Sequence, residues 1–106
     1  MLVGSQDVAD GGGSARALLA GNWPNPVRSQ TTIRFALDRP SQARLRIYDA
    51  QGRLVYTLLD ERLEPGTYSV PWSRRQDAGG RVAPGVYLYR LETDGRSASK
   101  SLVVIR

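Results

Sequence analysis

The feature that most restricts what this chain can become is a series of short runs in which apolar and polar side chains alternate, each cut off by turn chemistry. The series opens at Thr31. In TTIRFAL, Ile33, Phe35 and Leu37 share one face and Thr32, Arg34 and Ala36 the other. In ARLRIYD, Ala43, Leu45 and Ile47 face one way, and Arg44, Arg46 and Tyr48 the other. A period of two is that of a half-buried strand, whose successive side chains point to opposite faces. LVYTLLD, TYSVPW, GVYLYRLET and SASKSLVVIR continue the series. In TYSVPW, Tyr68, Val70 and Trp72 fall together, and Pro71, which has no amide to donate, restricts that strand to a sheet edge or a bulge. GVYLYRLET is apolar on both faces, Val86 and Leu88 against Tyr87, Tyr89 and Leu91, as a central strand would be. No segment of ten residues or more keeps a helical period with caps; ARALLA is too short and runs into Gly21.

The separators carry their own signals. DRPSQ is a proline-containing turn; in DAQGR, Asp49 suits the start of a type I turn and Gly52 the left-handed position after it. Pro65-Gly66 fits a type II turn, and Asp94-Gly95 a two-residue hairpin. A short extended piece at Leu18–Leu19 brings the strand count to seven. Seven short strands with turns about every 8–12 residues predict an all-β fold, an immunoglobulin-like seven-stranded antiparallel β-sandwich. Ahead of the second strand lies NWPNPVRS. Pro24 and Pro26 lack amide donors and push Trp23 and Asn25 into extended geometry, so the box reads as a rigid corner. Such a corner lets the first strand leave one sheet and cross the edge before the second strand begins.

A chain of 106 residues holds one domain. GGGS and scattered small residues mark 1–17 as a flexible linker and leave 18–106 as the domain; a linker in front implies a cargo domain N-terminal to it. The N-terminus lacks the basic and sustained apolar regions of a signal peptide, and no run approaches the ~18 apolar residues of a membrane helix. With no cysteine there is no disulfide framework, zinc ribbon or thiol nucleophile, and with no histidine the commonest general base and metal ligand is missing. We therefore expect no enzyme, no catalytic residue, no metal and no cofactor. Ser97, Ser99 and Lys100 do not make a catalytic pair, since alternation puts Ser99 and Lys100 on opposite faces. Asp77 and Asp94 are too few for calcium, and GGR at 79–81 lacks the strand–loop–helix setting of a phosphate loop. The glycines at 52, 66, 85 and 95 read as turn or strand-opening positions.

The net charge is +5, and fourteen of the fifteen basic residues are arginine; without residues 1–21 the balance is 14 − 8, or +6. That favours an acidic partner, or else reflects a solvated surface. Arg44 and Arg46 are neighbours on one exposed face, and an immunoglobulin-like order puts the strand bearing Arg90 beside them. No nucleic-acid motif accompanies this basic face, so nucleic acid is not expected as a partner.

Five anchors occur in order: Leu19 to Pro26 (L-x-x-N-W-P-N-P), Ile47 to Val55 (I-Y-D-x-x-G-R-x-V), Leu63 to Trp72 (L-x-P-G-T-Y-x-V-x-W), Asp77 to Leu91 (D-A-G-G-R-V-A-P-G-V-Y-x-Y-R-L) and the closing K-S-L-V-V-I-R. Together they resemble the type A C-terminal sorting domain of the type IX secretion system, a neighbour of the immunoglobulin-like domain of flagellar hook-capping proteins. The resemblance spans about residues 18–106. It implies a secretion address: a module at the end of an exported cargo, recognised by outer-membrane secretion and sortase components, then cleaved off as the cargo is attached to anionic lipopolysaccharide or released. The implied location is the outer membrane, cell surface or exterior; the seven patterned strands and complete turn chemistry themselves predict a monomer. The recognition candidates are Pro24, Asn25 and Pro26 of the box, Gly85 and Tyr87, and Lys100, Leu102, Val103, Val104, Ile105 and Arg106 of the closing strand. Two segments depart from the family pattern. Trp72 is followed by Ser73, Arg74 and Arg75 in place of an acidic or amide residue and glycine, and the box continues as Val27, Arg28 and Ser29. The alternative is an immunoglobulin-like adhesion module or a glycan-binding accessory module of a secreted enzyme, which requires Trp23 or Trp72 to be exposed.

Overall fold

The computed structural model describes residues 18–106; the expected linker over 1–17 lies outside them. Seven strands follow one another: β1 (Leu19–Trp23), β2 (Thr31–Leu37), β3 (Ser41–Asp49), β4 (Leu54–Leu63), β5 (Gly66–Trp72), β6 (Gly85–Thr93) and β7 (Arg96–Val104). They form two sheets, β1-β2-β5 and β4-β3-β6-β7, antiparallel throughout. The fold is the expected all-β, immunoglobulin-like sandwich.

The core lies between the sheets and is built from the faces that the alternation marks. Ile33, Phe35 and Leu37 of β2 meet Ala43, Leu45 and Ile47 of β3, with Trp72, Tyr89 and Leu91 completing the layer. Each fully buried side chain of this size contributes ~1.5–3 kcal/mol. Phe35 stacks on Tyr68 with ring centroids 5.3 Å apart, and Trp72 meets Tyr87 edge-on at 6.1 Å. Pro71 is on β5, an edge strand as its missing amide requires. The Asp49–Arg53 turn closes as expected, Gly52 donating its amide to the Asp49 carbonyl with φ 86°. Gly95 at φ 83° turns the β6–β7 hairpin, in which Thr93 pairs with Arg96.

Several boundaries differ from the sequence reading. The first strand is not Leu18–Leu19; it begins at Leu19 and runs into the proline box, pairing Asn22 with Ile33 and Trp23 with Thr32. A register shift between Leu19 and Gly21, with Gly21 at φ 128°, breaks the two-residue period that would have revealed it. Nor does β1 part from the sheet that β2 joins. Pairing stops at Pro24, where donors run out, and only Val27 visits the other sheet, bridging Val104 in parallel before β2 returns beside β1. Gly66 has φ 153°, far from the +80° or so of a type II turn, because the chain there steps between sheets rather than folding back within one. β6 is central, between β3 and β7, but its second apolar face is bare: Val86 is 55% and Leu88 38% exposed.

Candidate functional site

The box is held by a small polar network. Tyr89, buried on β6 in the opposite sheet, donates its hydroxyl to Asn22 Oδ1 at 2.9 Å. The Asn22 amide donates to Thr31 Oγ1 at 3.0 Å, and the Thr31 hydroxyl to the Pro24 carbonyl at 2.9 Å. One asparagine thus ties the end of β1, the start of β2 and the core of the second sheet. Burial pushes the Tyr89 phenol up to about 12.

Beyond Asn22 the box docks on the end of β7. The Val27 amide donates to the Val103 carbonyl at 2.7 Å, the Ile105 amide to the Val27 carbonyl at 2.8 Å, and the Val103 amide to Asn25 Oδ1 at 3.1 Å. Pro24, Asn25 and Pro26 are exposed, as are Val103 and Arg106, and Ile105 is half-buried. These residues form one surface. Leu102, Val104 and Tyr87 are brought to the same end but belong to the core. Lys100 lies mid-β7, half-buried, on the inward parity opposite Tyr89, and so does not join that surface.

Gly85 and Tyr87 belong to a motif that the chain uses twice. In Pro65-Gly66-Thr67-Tyr68 and Pro84-Gly85-Val86-Tyr87, the tyrosine hydroxyl reaches back four residues to a carbonyl, Glu64 and Ala83 respectively, at 2.6 Å in each case. The glycine before each tyrosine has φ 153° or 156°, a conformation that a side chain rarely adopts, and the tyrosine ring closes over it. Each copy opens a strand and anchors the preceding loop. The repeat was visible in the sequence as two P-G-x-Y strings; the reach of the hydroxyl was not.

The basic face assembles as expected, with Arg46 directly opposite Arg90. It is neutralised. Arg44 pairs with Asp60 at 3.3 Å and Glu92 at 3.7 Å, and Arg90 with Glu92 at 3.3 Å. Glu92 stands two residues from Arg90 and so on the same face, a signal that alternation already carried.

A second group of arginines comes together here; the sequence marks Arg28, Arg74 and Arg75 only as departures from the family pattern and Arg81 only as part of GGR. Arg74 has φ 65° and donates to the carbonyls of Arg28 and Val82, both at 2.7 Å. Arg81 donates to the Ser29 carbonyl at 3.1 Å. These bonds fasten the 73–82 loop to the segment after the box. Ser73, Arg75, Gly80 and Arg81 line an open cleft of about 350 Å³ there. Trp72 supports it from the core, its indole N–H donating to the Arg75 carbonyl at 3.0 Å. Trp23 is 79% exposed, on the outer face of the three-stranded sheet. Among the described residues no three metal-ligating side chains come together.

A family model described as the FlgD Ig-like domain matches residues 26–97. Among solved structures, dimeric latent PorU from Porphyromonas gingivalis superposes with a TM-score of 0.67 at 28% identity, over 79% of this chain and 9% of PorU. PorZ of the same organism, described as an essential bacterial surface component of the type-IX secretion system, superposes with a TM-score of 0.59 at 34% identity, over 91% of this chain and 13% of PorZ. The chain therefore spans only about a tenth of either protein. The alkylpurine DNA glycosylase AlkC of Pseudomonas fluorescens, at 13% identity and a TM-score of 0.50 over 83% of this chain and 29% of that one, shares the fold alone. No curated protein matches the sequence.

Proposed function

The chain belongs to the FlgD Ig-like domain family, and on that premise we propose that it is a sorting module of the type IX secretion system. In this reading it directs an attached cargo across the outer membrane to the cell surface or exterior and catalyses nothing itself. The observation that carries the proposal is the 34% identity to PorZ across 91% of this chain, a likeness that extends well beyond shared fold. Its partners are outer-membrane secretion and sortase components, with an anionic lipopolysaccharide as the anchor of the cargo. The surface offered to them is the box end, where Pro24, Asn25, Pro26, Val103 and Arg106 lie exposed. Leu102, Val104 and Tyr87 act indirectly, by keeping that end folded.

The test is a reporter fused ahead of residues 18–106 in a host with the secretion system. The fusion should reach the surface or medium, and the reporter without the domain should stay inside. Equal export of both ends the proposal. Val103→Thr with Arg106→Ala alters the box-end surface at exposed positions, where stability changes usually stay within ~0.5 kcal/mol. A folded variant that exports poorly assigns recognition to this surface; normal export moves recognition elsewhere on the domain.

One observation favours the alternative of a glycan-binding module: Trp23 is 79% exposed, the stacking platform that reading needs, whereas Trp72 is core. Retention of the protein in a polysaccharide gel, abolished by Trp23→Ala, would establish it. Unretarded migration in the glycans tried, together with export of the reporter, decides for sorting.

A further inference from the structure

We propose that the cleft between Arg75 and Arg81 is an oxyanion site, taking a phosphate or sulfate group between two guanidinium ions. The argument starts from the backbone. Arg75 and Arg81 form an isolated antiparallel bridge, flanked by the Val82 amide on the Arg74 carbonyl at 2.7 Å and the Gln76 amide on the Gly80 carbonyl at 3.3 Å. Those two bonds lie on either side of the pair, so Arg75 and Arg81 are opposed without exchanging hydrogen bonds between themselves. In this kind of pair the Cα atoms approach to roughly 4.5 Å and the side chains leave on the same face. Like charges placed directly opposite destabilise a ladder. The fold uses Arg81 to hold the Ser29 carbonyl, but gives Arg75 no such bond among the described residues, and the bridge is a single rung in a loop.

Most other arginines stand beside a carboxylate, although Arg34 and Arg46 make no ion pair among the described residues. Arg46 and Arg90 are also directly opposed, but Glu92 lies 3.3 Å from Arg90 and Asp60 3.3 Å from Arg44 beside them. Arg53 pairs with Asp49, Arg62 with Asp94, and Arg39 and Arg96 with Asp38. Among the described residues Arg28, Arg74, Arg75 and Arg81 make no ion pair, and Asp77, the one carboxylate of their loop, pairs with none of them. Arg28, Arg74 and Arg81 spend donors on main-chain carbonyls, and the Nε of Arg74 has no acceptor. The side chain of Arg75 has no hydrogen-bonding partner among the described residues. The end of the sandwich therefore concentrates positive charge around an open cleft that supplies a serine hydroxyl and guanidinium forks, the groups that hold a tetrahedral oxyanion. The chemistry of the cleft stands apart from the export reading and is tested on the purified protein.

The experiment is an NMR titration of the whole 106-residue chain with inorganic phosphate and with sulfate, ionic strength held constant with chloride. Saturable shifts confined to Ser73, Arg75, Gly80, Arg81 and their neighbours are expected. Arg75→Gln, which removes a side chain with no structural bond, should weaken binding at least tenfold with an unchanged spectrum elsewhere. Arg44→Gln with Arg90→Gln, both ion-paired on the other face, should leave affinity as it was. Flotation with phosphatidylglycerol vesicles, against phosphatidylcholine, separates the sources. Vesicle binding lost in Arg75→Gln assigns the group to a lipid headgroup, and phosphate binding without vesicle binding assigns it to a soluble ligand. Shifts that rise linearly at arginines all over the surface, or an Arg75→Gln titration matching the parent, overturn the site.

Discussion

Asn22 and Tyr89 offer the sharpest test of how the proline box is held. Asn22→Ala removes three things at once: the acceptor for a buried phenol, the donor to Thr31 and the contact with the Pro24 carbonyl. The stranded hydroxyl dominates, because Tyr89 is 1% exposed and water cannot replace the lost acceptor. An unsatisfied buried group of this kind costs about 1–3 kcal/mol. Tyr89→Phe removes the hydroxyl itself and leaves Asn22, half-exposed, free to bond water, at about 0.5–1.5 kcal/mol. In the double variant nothing is stranded, so its loss should fall short of the sum by ~1 kcal/mol. Urea unfolding followed by tryptophan fluorescence measures all three. The same variants report at high pH. The Tyr89 phenol moves from 10.0 to about 12 on folding, driven by burial. Between those values the unfolded chain has released a proton that the folded chain retains, so stability present below pH 10 declines as pH rises toward 12. Two units correspond to about 2–3 kcal/mol, and Tyr89→Phe should flatten the decline. Additive losses, together with an alkaline slope that survives Tyr89→Phe, would refute the network.

Trp72→Ala should destabilise by ~3–5 kcal/mol, because the ring is core and its N–H holds the Arg75 carbonyl; a loss under ~1 kcal/mol in urea unfolding would place it outside the core. Gly66→Ala and Gly85→Ala should each cost about 1–3 kcal/mol through strain at positive φ; unchanged melting temperatures would mean that the turns relax freely. At acid pH, Asp38, held low by the Arg96 side chain, Asp49, by the Arg53 amide, and Asp60, by Gln42, all lose stabilisation. These folded values lie below 3.8, so stability present above about pH 4 declines as pH falls through them. A flat urea midpoint from pH 5 to pH 2 contradicts this.

What could be read in advance follows from where the residue pattern is unambiguous. Ile33, Phe35 and Leu37, like Ala43, Leu45 and Ile47, alternate with polar or small residues and can face only one way into a sandwich. β3 beside β6 follows from the immunoglobulin-like order, and with it the opposition of Arg46 and Arg90. Lys100 was harder. It stands in SASKSLVV, where serines and an alanine carry almost no polarity signal, so only the register with Tyr89 reveals its inward parity. The first strand was obscured by the bulge at Gly21. The Arg75–Arg81 pair was invisible for a different reason: the Gly79-Gly80 loop that brings them together has no period, and spacing of six residues says nothing about apposition. Asn22 reads in sequence only as part of a proline motif, although a polar side chain at a corner needs partners, which Thr31 and Tyr89 supply.

The bridge from Val27 to Val104 has a mechanical meaning. β1 and β7 both run toward the box, so polypeptide enters the sandwich at one end through Leu19 and leaves it at the other beyond Val104. A pull between those two points slides the box along β7 rather than peeling it away. The Val27 amide, the Val27 carbonyl and Asn25 Oδ1, each bonded to the last turn of that strand, must then yield together rather than in succession. Loaded in this direction, the domain resists extension as a clasp would.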